Sequence, residues 1–396
     1  MQFTDFSKLD LNRLPSPCFV VDEVALERNF KILHRVQQES GAKVLHALKA
    51  FSLWSKADLT RKYLSGTCAS GLHEARLGEK HYGGEVHVFS AAYSEADMTE
   101  LLTFADHIVF NSCAQLLRFE PQCRKALGTR SGLQFGIRIN PEYTESDTPI
   151  YDPCAPGSRL GITRSEFDKF NTKPEFQKAF ELVSGLHFHT LCEQAFGPLQ
   201  RTLVQVEKIF GDLIPQMQWI NFGGGHHITA PDYQVDALID CIMQFTSRHQ
   251  VQVYLEPGEA VAIGTGILSS EVLDITFNQL PQLILDTSAT CHMPDTLEMP
   301  YRADITHAGM PNEYSHTYRL GGLTCLAGDI MGDYSFEKPL EVGDRLIFED
   351  MSHYTMVKTS TFNGTRLPAI AIWNSETDQL TVVKEFGYSD FEQRLS

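Results

Sequence analysis

The chain alternates short apolar runs with longer amphipathic stretches over its first two thirds. An apolar run at 18–21 ends at Asp22, a good helix N-cap, and Leu26, Phe30, Leu33 and Val36 then recur on one helical face. The pattern predicts strands over 43–49, 66–70, 86–90, 107–111, 134–140, 185–190, 219–224 and 251–257, with helical segments between most of them. Eight β units joined by crossover helices are the count of a (β/α)8 barrel of the TIM type.

Near residue 265 the pattern changes. Short β-like runs at 266–277, 282–287, 316–325, 345–349, 354–358, 369–373 and 380–383 follow without clear helices, and Gly343-Asp344 and Asn363-Gly364 are turn signals. The expected fold is therefore α/β: a barrel over 22–265, then an all-β, sandwich- or barrel-like domain over 266–396. The strand near the start, within 1–21, precedes the first βα unit and is assigned to the second domain.

Composition narrows the class. The 396 residues exceed one ordinary core and suit two domains. The formal net charge of -17 disfavours nucleic acid and anionic membrane and favours cationic ligands. The first residues lack a basic start followed by an apolar stretch, and no run is apolar enough to span a bilayer. Nine scattered cysteines, none in a C-x-x-C pair, fit a reducing, cytoplasmic setting.

Candidate chemistry gathers at the ends of the predicted barrel strands, where barrel enzymes keep their active sites. The first ends in His46-Ala47-Leu48-Lys49. A lysine there either reaches solvent or sits in an apolar pocket, its amine readied to form a Schiff base. The sixth carries His187-Phe188-His189, whose imidazoles share a face and suit either a metal pair or stacking on a flat cofactor. The seventh runs into Gly223-Gly224-Gly225, a loop whose N–H groups can approach a phosphate. The eighth ends in Glu256-Pro257-Gly258-Glu259; a carboxylate there can hold a pyridine nitrogen protonated. Arg138, inside Gly136-Ile137-Arg138-Ile139-Asn140, is a cation on an apolar strand in want of a partner. In the β domain, Gly321-Gly322-Leu323-Thr324-Cys325 leads to Asp329, a glycine-led loop with a thiol and an acid. Amine, aromatic ring, phosphate loop and carboxylate together match the needs of pyridoxal 5'-phosphate.

In motif order, nearly the whole chain resembles the alanine-racemase-fold pyridoxal-phosphate decarboxylases, among them the ornithine, arginine and diaminopimelate enzymes. Lys49 resembles the lysine that carries the cofactor, His189 the ring-stacking histidine and Gly223–Gly225 the phosphate loop. Glu256 resembles the partner of the pyridine nitrogen. Tyr354, before Ser360-Thr361-Phe362-Asn363-Gly364, resembles a phosphate-contacting tyrosine, and Arg138 is grouped with the cofactor site. Cys325 and Asp329 resemble a thiol and an acid that this family supplies from a second subunit, which implies a homodimer with shared sites.

Pro15–Asp22, Cys291-His292-Met293-Pro294-Asp295 and Glu256–Glu259 resemble the branch that acts on carboxylated polyamines. That implies CO2 release from carboxynorspermidine or carboxyspermidine in polyamine biosynthesis, with Asp329, Asp286 and Glu259 as candidates for the distal amines. Cys325 or Lys49 would return the proton. Two departures matter. Glu259 stands where most of the family carries arginine, which suits a cationic substrate end. His189-Thr190-Leu191-Cys192 stands where the wider family places Gly-Ser. Diaminopimelate decarboxylation is the runner-up; a barrel metal hydrolase using His187, His189 and His226 or His227, and a cofactor-free regulator, are the rivals of other classes. No metal is expected.

Overall fold

The computed structural model describes residues 4–146 and 148–396. They divide into two compact units: Asn29–Val261, and the residues up to Arg28 together with Ala262–Ser396.

The first strand is β1 (Cys18–Asp22). The Asp22 carboxylate then accepts from the N–H groups of Val24 (3.1 Å) and Ala25 (3.3 Å), starting the helix Glu23–Ser40. Leu26, Phe30, Leu33 and Val36 on that helix are all buried, as its periodicity predicts.

Eight strands follow within the unit 29–261: β2 (Lys43–Ala47), β3 (Gly66–Ala69), β4 (Glu85–Phe89), β5 (His107–Phe110), β6 (Gln134–Arg138), β7 (Val183–His187), β8 (Trp219–Asn221) and β9 (Gln252–Leu255). All pair in parallel, and β2 closes on β9 through Lys43↔Tyr254 and Val44↔Leu255, giving a closed barrel. Side-chain caps start several of the crossover helices. Ser94 accepts from Asp97 N–H at 3.0 Å, and Ser112 from Gln115 N–H at 3.1 Å.

The barrel is packed, not hollow. Leu45, Val109, Trp219 and Tyr254 form its inner cluster. The Trp219 indole lies where β6 and β7 carry glycine: a Cβ on Gly136 would stand 2.4 Å from it, and one on Gly185 only 2.0 Å. Sequestering an indole this size is worth roughly 4–6 kcal/mol, so the two glycines are part of the core's shape.

The other unit is one connected, mostly antiparallel sheet. Its strands are β1, β10 (Gly266–Asn278), β11 (Leu280–Leu285), β12 (His316–Gly321), β13 (Ile330–Phe336), β14 (Arg345–Glu349), β15 (Ala369–Asn374) and β16 (Gln379–Lys384). They run in the order β13-β12-β11-β10-β1-β15-β16, with β14 also on β10. The early half of β10 pairs with β1 and β14, and its later half with β11.

Two expectations fail in this unit. The run at 354–358 is a turn segment, not a strand, and Tyr354 has a left-handed φ of 43°. Its apolar residues pack without alternating across a sheet. The strand β13 escapes the sequence reading because Gly332, Asp333 and Ser335 dilute its apolar pattern.

Candidate active site

The C-terminal ends of the barrel strands converge on one pocket, lined by Ala47, Lys49, Cys68, Ala69, Ser70, Phe89, Arg138, His187, His189 and Glu256. The strands β2, β7 and β9 stop just before a residue of the pocket. β2 ends at Ala47 and Lys49 follows in a turn; β7 ends at His187, two residues before His189; β9 ends at Leu255, next to Glu256. The sheet ladder fixes the direction of approach, and the first loop residues carry the chemistry.

Glu256 is the centre of the pocket's polar contacts. The Asn221 side-chain amide donates to its Oε1 at 2.7 Å, and His187 Nε2 stands 3.3 Å from its Oε2. Burial alone would push the carboxyl up, but the His187 ring and the Asn221 amide outweigh it and keep the carboxyl ionised, below its usual range. Burial pushes His187 the other way, against the pull of Glu256, and leaves its ring below its usual range. Asn221 Oδ1 also accepts from Gly223 N–H at 2.8 Å, so one amide ties the carboxylate to the glycine loop.

His189 is set by that same loop. Gly224 N–H donates to its Nδ1 at 3.1 Å, which leaves the proton of the neutral ring on Nε2. Burial, then the charges of Lys49 and Arg138, hold this imidazole well below its usual pKa. Arg138 is 5% exposed; its Nη2 donates to the His189 carbonyl at 3.2 Å and its guanidinium lies 4.6 Å from the Phe89 ring centroid. Burial lowers it to about 10, so it remains cationic at neutral pH, and no carboxylate forms an ion pair with it among the described residues.

Lys49 is exposed, and its pocket neighbours are mixed: Ala47, Cys68, Ala69 and Phe89 beside Ser70, Arg138, His187, His189 and Glu256. The glycine triplet is needed for packing as much as for donors. A Cβ on Gly223 would meet the Phe188 carbonyl at 2.4 Å, one on Gly224 the Glu256 carbonyl at 2.1 Å, and one on Gly225 the Leu191 carbonyl at 1.9 Å. The N–H groups of Gly223 and Gly224 are already spent on Asn221 and His189, leaving Gly225 N–H, without an internal acceptor among the described residues, for a phosphate.

The remaining candidates fall in different settings. Glu259 Oε2 lies 3.1 Å from His227 Nε2. Asp286 accepts from Ser270 Oγ (3.0 Å) and Glu271 N–H (2.9 Å), and burial pushes its carboxyl up. Cys325 is exposed, its N–H donating to Asn363 Oδ1 at 3.0 Å, whereas Asp329 is 3% exposed. Asp286, Cys325, Asp329 and Tyr354 all belong to the sheet unit.

The four histidines of the hydrolase reading do not converge. His187 faces Glu256, His189 takes a backbone N–H, His226 meets Tyr233 Oη at 2.6 Å, and His227 meets Glu259. Among the described residues, the group compatible with a metal is Glu85, His87 and His107, at the starts of β4 and β5, the opposite end of the barrel from Lys49. There Lys43 Nζ already pairs with Glu85.

Sequence reasoning passed over Cys68, Ser70, Phe89 and Asn221. Asn221 directly precedes the glycine loop, and strand alternation carries Cys68 and Ser70 to one face, but no residue type there announces chemistry.

The donor set suits pyridoxal phosphate. The pocket offers an accessible amine, a flat neutral ring with a fixed tautomer, an ionised carboxylate with acceptor capacity to spare, and an unpaired buried guanidinium. Comparison with known proteins agrees. Residues 18–352 match the family model described as pyridoxal-dependent decarboxylase, C-terminal sheet domain. Carboxyaminopropylagmatine decarboxylase of Synechocystis sp. is 43% identical, over 97% of this chain and 96% of its own. Carboxynorspermidine/carboxyspermidine decarboxylase of Campylobacter jejuni is 39% identical, over 96% and 99%. The crystal structure of carboxynorspermidine decarboxylase from Campylobacter jejuni, complexed with norspermidine, superposes with a TM-score of 0.85 at 38% identity, covering 96% of this chain and 100% of that one. Diaminopimelate decarboxylase from Helicobacter pylori shares the fold (TM-score 0.81) at 18% identity, over 97% of this chain and 98% of its own. A family match over most of the length, with relatives aligned end to end at 43% and 39% identity, settles the assignment: the chain belongs to the pyridoxal-dependent decarboxylase family.

Proposed function

We propose that this chain removes CO2 from a carboxylated polyamine, carboxynorspermidine or carboxyspermidine, with pyridoxal phosphate held at Lys49. The observation that supports the substrate class is Glu259, beside His227 and four residues past the end of β9: an acid there suits a cationic chain end. The net charge of -17 adds a field that draws such a substrate in. The names of the 39% identical relative and of the norspermidine complex support the same class.

When bound, pyridoxal phosphate supplies an electron sink for the pair left behind as CO2 departs. The residues would hold it as follows. Lys49 would carry it through the side-chain amine, and Glu256 would hold the ring nitrogen through a charge-assisted hydrogen bond. His189 would pack on the ring, its tautomer held by Gly224. Gly225 N–H would take the phosphate, to which Tyr354 is assigned by family resemblance alone, and Arg138 would add positive charge near His189.

Cys325 Sγ or Lys49 Nζ returns a proton to the substrate's α-carbon. Glu259 and Asp286 are the acids for the distal amines. Cys325 belongs to the loop that the family places at a neighbouring subunit's site, so the working form would be a homodimer.

The name of the 43% identical relative favours a second reading, in which the distal group is the guanidinium of carboxyaminopropylagmatine. CO2 release by the cofactor-loaded protein from carboxynorspermidine, carboxyspermidine, carboxyaminopropylagmatine and meso-diaminopimelate, measured side by side, separates these. The highest kcat/KM is expected with a carboxylated polyamine. A preference for carboxyaminopropylagmatine moves the assignment to the second reading, and a preference for diaminopimelate overturns the role given to Glu259.

A further inference from the structure

Asp329 is a candidate for binding a substrate amine, yet its surroundings argue otherwise. Its Oδ1 accepts from Ser288 Oγ (3.0 Å) and Thr290 N–H (3.1 Å). Its Oδ2 accepts from Ser288 Oγ (2.9 Å), Thr324 N–H (3.1 Å) and Thr324 Oγ1 (2.8 Å). These are four donor groups, with the Ser288 hydroxyl shared, on a side chain that has about four lone-pair positions. The carboxylate is saturated from within its own unit. The fit is close on the loop side as well: a Cβ on Gly322 would stand 2.4 Å from Asp329 Oδ2, so only glycine leaves the acid its place.

The contacts continue around a ring. Ser288 Oγ, which donates to Asp329, accepts from Cys291 N–H at 3.0 Å. The Cys291 carbonyl accepts from Ser360 N–H at 2.8 Å. Three residues on, Asn363 takes its left-handed φ of 58° and its Oδ1 accepts from Cys325 N–H at 3.0 Å. Thr324, next to Cys325, returns to Asp329. The segment around Cys291-His292, the segment 360–364 and the thiol loop are thus locked to one another, with the buried acid at the junction.

We propose that Asp329 is a positioning residue: it does not bind substrate but fixes the backbone on which the Cys325 thiol is presented. This rests on the proton-delivering role of Cys325 given above. A loop held at Thr324 and at the Cys325 N–H loses little order when substrate arrives, which is what a timed proton transfer needs.

The test is Asp329→Asn in the cofactor-loaded enzyme. The amide loses acceptor positions and brings two N–H donors toward groups that are themselves donors. We expect kcat to fall about tenfold or more while KM for the carboxylated polyamine changes less than about threefold, and the rate of Cys325 alkylation by iodoacetamide, followed by peptide mapping, to shift about threefold. On a Cys325→Ala background the same change should cost less than about threefold more, since both act through one thiol. A KM raised about tenfold with kcat and alkylation unchanged overturns the proposal and makes Asp329 an amine ligand. If Asp329→Asn fails to fold, Thr324→Val removes one hydroxyl donor on the loop side. It should lower kcat about threefold at constant KM, and unchanged kcat and alkylation would overturn the proposal. Should Cys325→Ala alone retain full kcat, the role of Cys325 is what fails, and the alkylation rate alone then decides the role of Asp329.

Discussion

Glu256 and Asp329 are acids held among polar partners, one in each unit, and they differ in what is left over. Glu256 has one hydrogen-bond donor, the Asn221 amide, on Oε1 and the His187 imidazole at 3.3 Å from Oε2, and it lines a pocket. Asp329 has every acceptor position taken by its own chain. The count of donors separates them. A carboxylate with unused acceptors can receive a proton-bearing ring nitrogen; a saturated one can only hold its neighbours still. The barrel unit therefore offers reactive capacity, and the loop of the sheet unit offers order.

Substitutions can break that contrast in order of size. Lys49→Ala removes the pocket's only amine among its lining residues, and decarboxylation should fall about a thousandfold or more, read as CO2 release with saturating cofactor. Normal turnover by that variant would remove the barrel mouth from the chemistry altogether. Mixing Lys49→Ala with Cys325→Ala protein tests the shared site: random exchange should restore about a quarter of wild-type activity, and no recovery would put both residues in one subunit's site.

Glu256→Gln comes next. It keeps the shape and the contact to Asn221 but removes the charge, and kcat should drop roughly a hundredfold, equivalent to the ~3 kcal/mol of one charge-assisted hydrogen bond. The corresponding change in the sheet unit, Asp329→Asn, is smaller because it acts through position. If the two rank the other way, the donor count is not what divides them.

The smallest effect is on stability and involves both units. Burial lowers His46 to about 4 and His226 to about 3 in the barrel unit, and His292 to about 4 in the sheet unit. An unfolded histidine takes its proton near pH 6.5, so between that pH and these values the unfolded chain binds more protons than the folded one. Their contribution to stability is complete above about pH 6.5 and drains away as pH falls toward about 4. The melting temperature should drop by roughly 5–10 °C from pH 7 to pH 5. His226→Gln should flatten part of that slope; an unchanged slope would mean that burial does not hold this ring neutral.

Much of this was legible along the chain. Eight β units in order, a lysine after the first, a glycine triplet after the seventh and Glu-Pro-Gly after the eighth all stand where strand alternation puts them, because period and spacing are properties of the local backbone. Asn221 was not legible: nothing in an apolar strand end shows that its amide will bridge a glycine N–H and a carboxylate 35 residues on. Nor was the turn at 354–358, where an apolar run reads as a strand until a left-handed Tyr354 breaks it.

Sequence alone was enough for the barrel, the later sheet and the residue types at the barrel mouth, since these follow from hydrophobic periodicity and from which side chains can do the chemistry. Occupancy came from the folded chain: which N–H groups of the glycine loop were still unspent, which imidazole nitrogen was blocked, and which of Glu256 and Asp329 had acceptors to offer. A hydrogen bond joins groups that meet only in three dimensions. Whether a polar group is free to act is therefore written in its neighbours, and for Asp329 those neighbours include Ser288, 41 residues away in the chain.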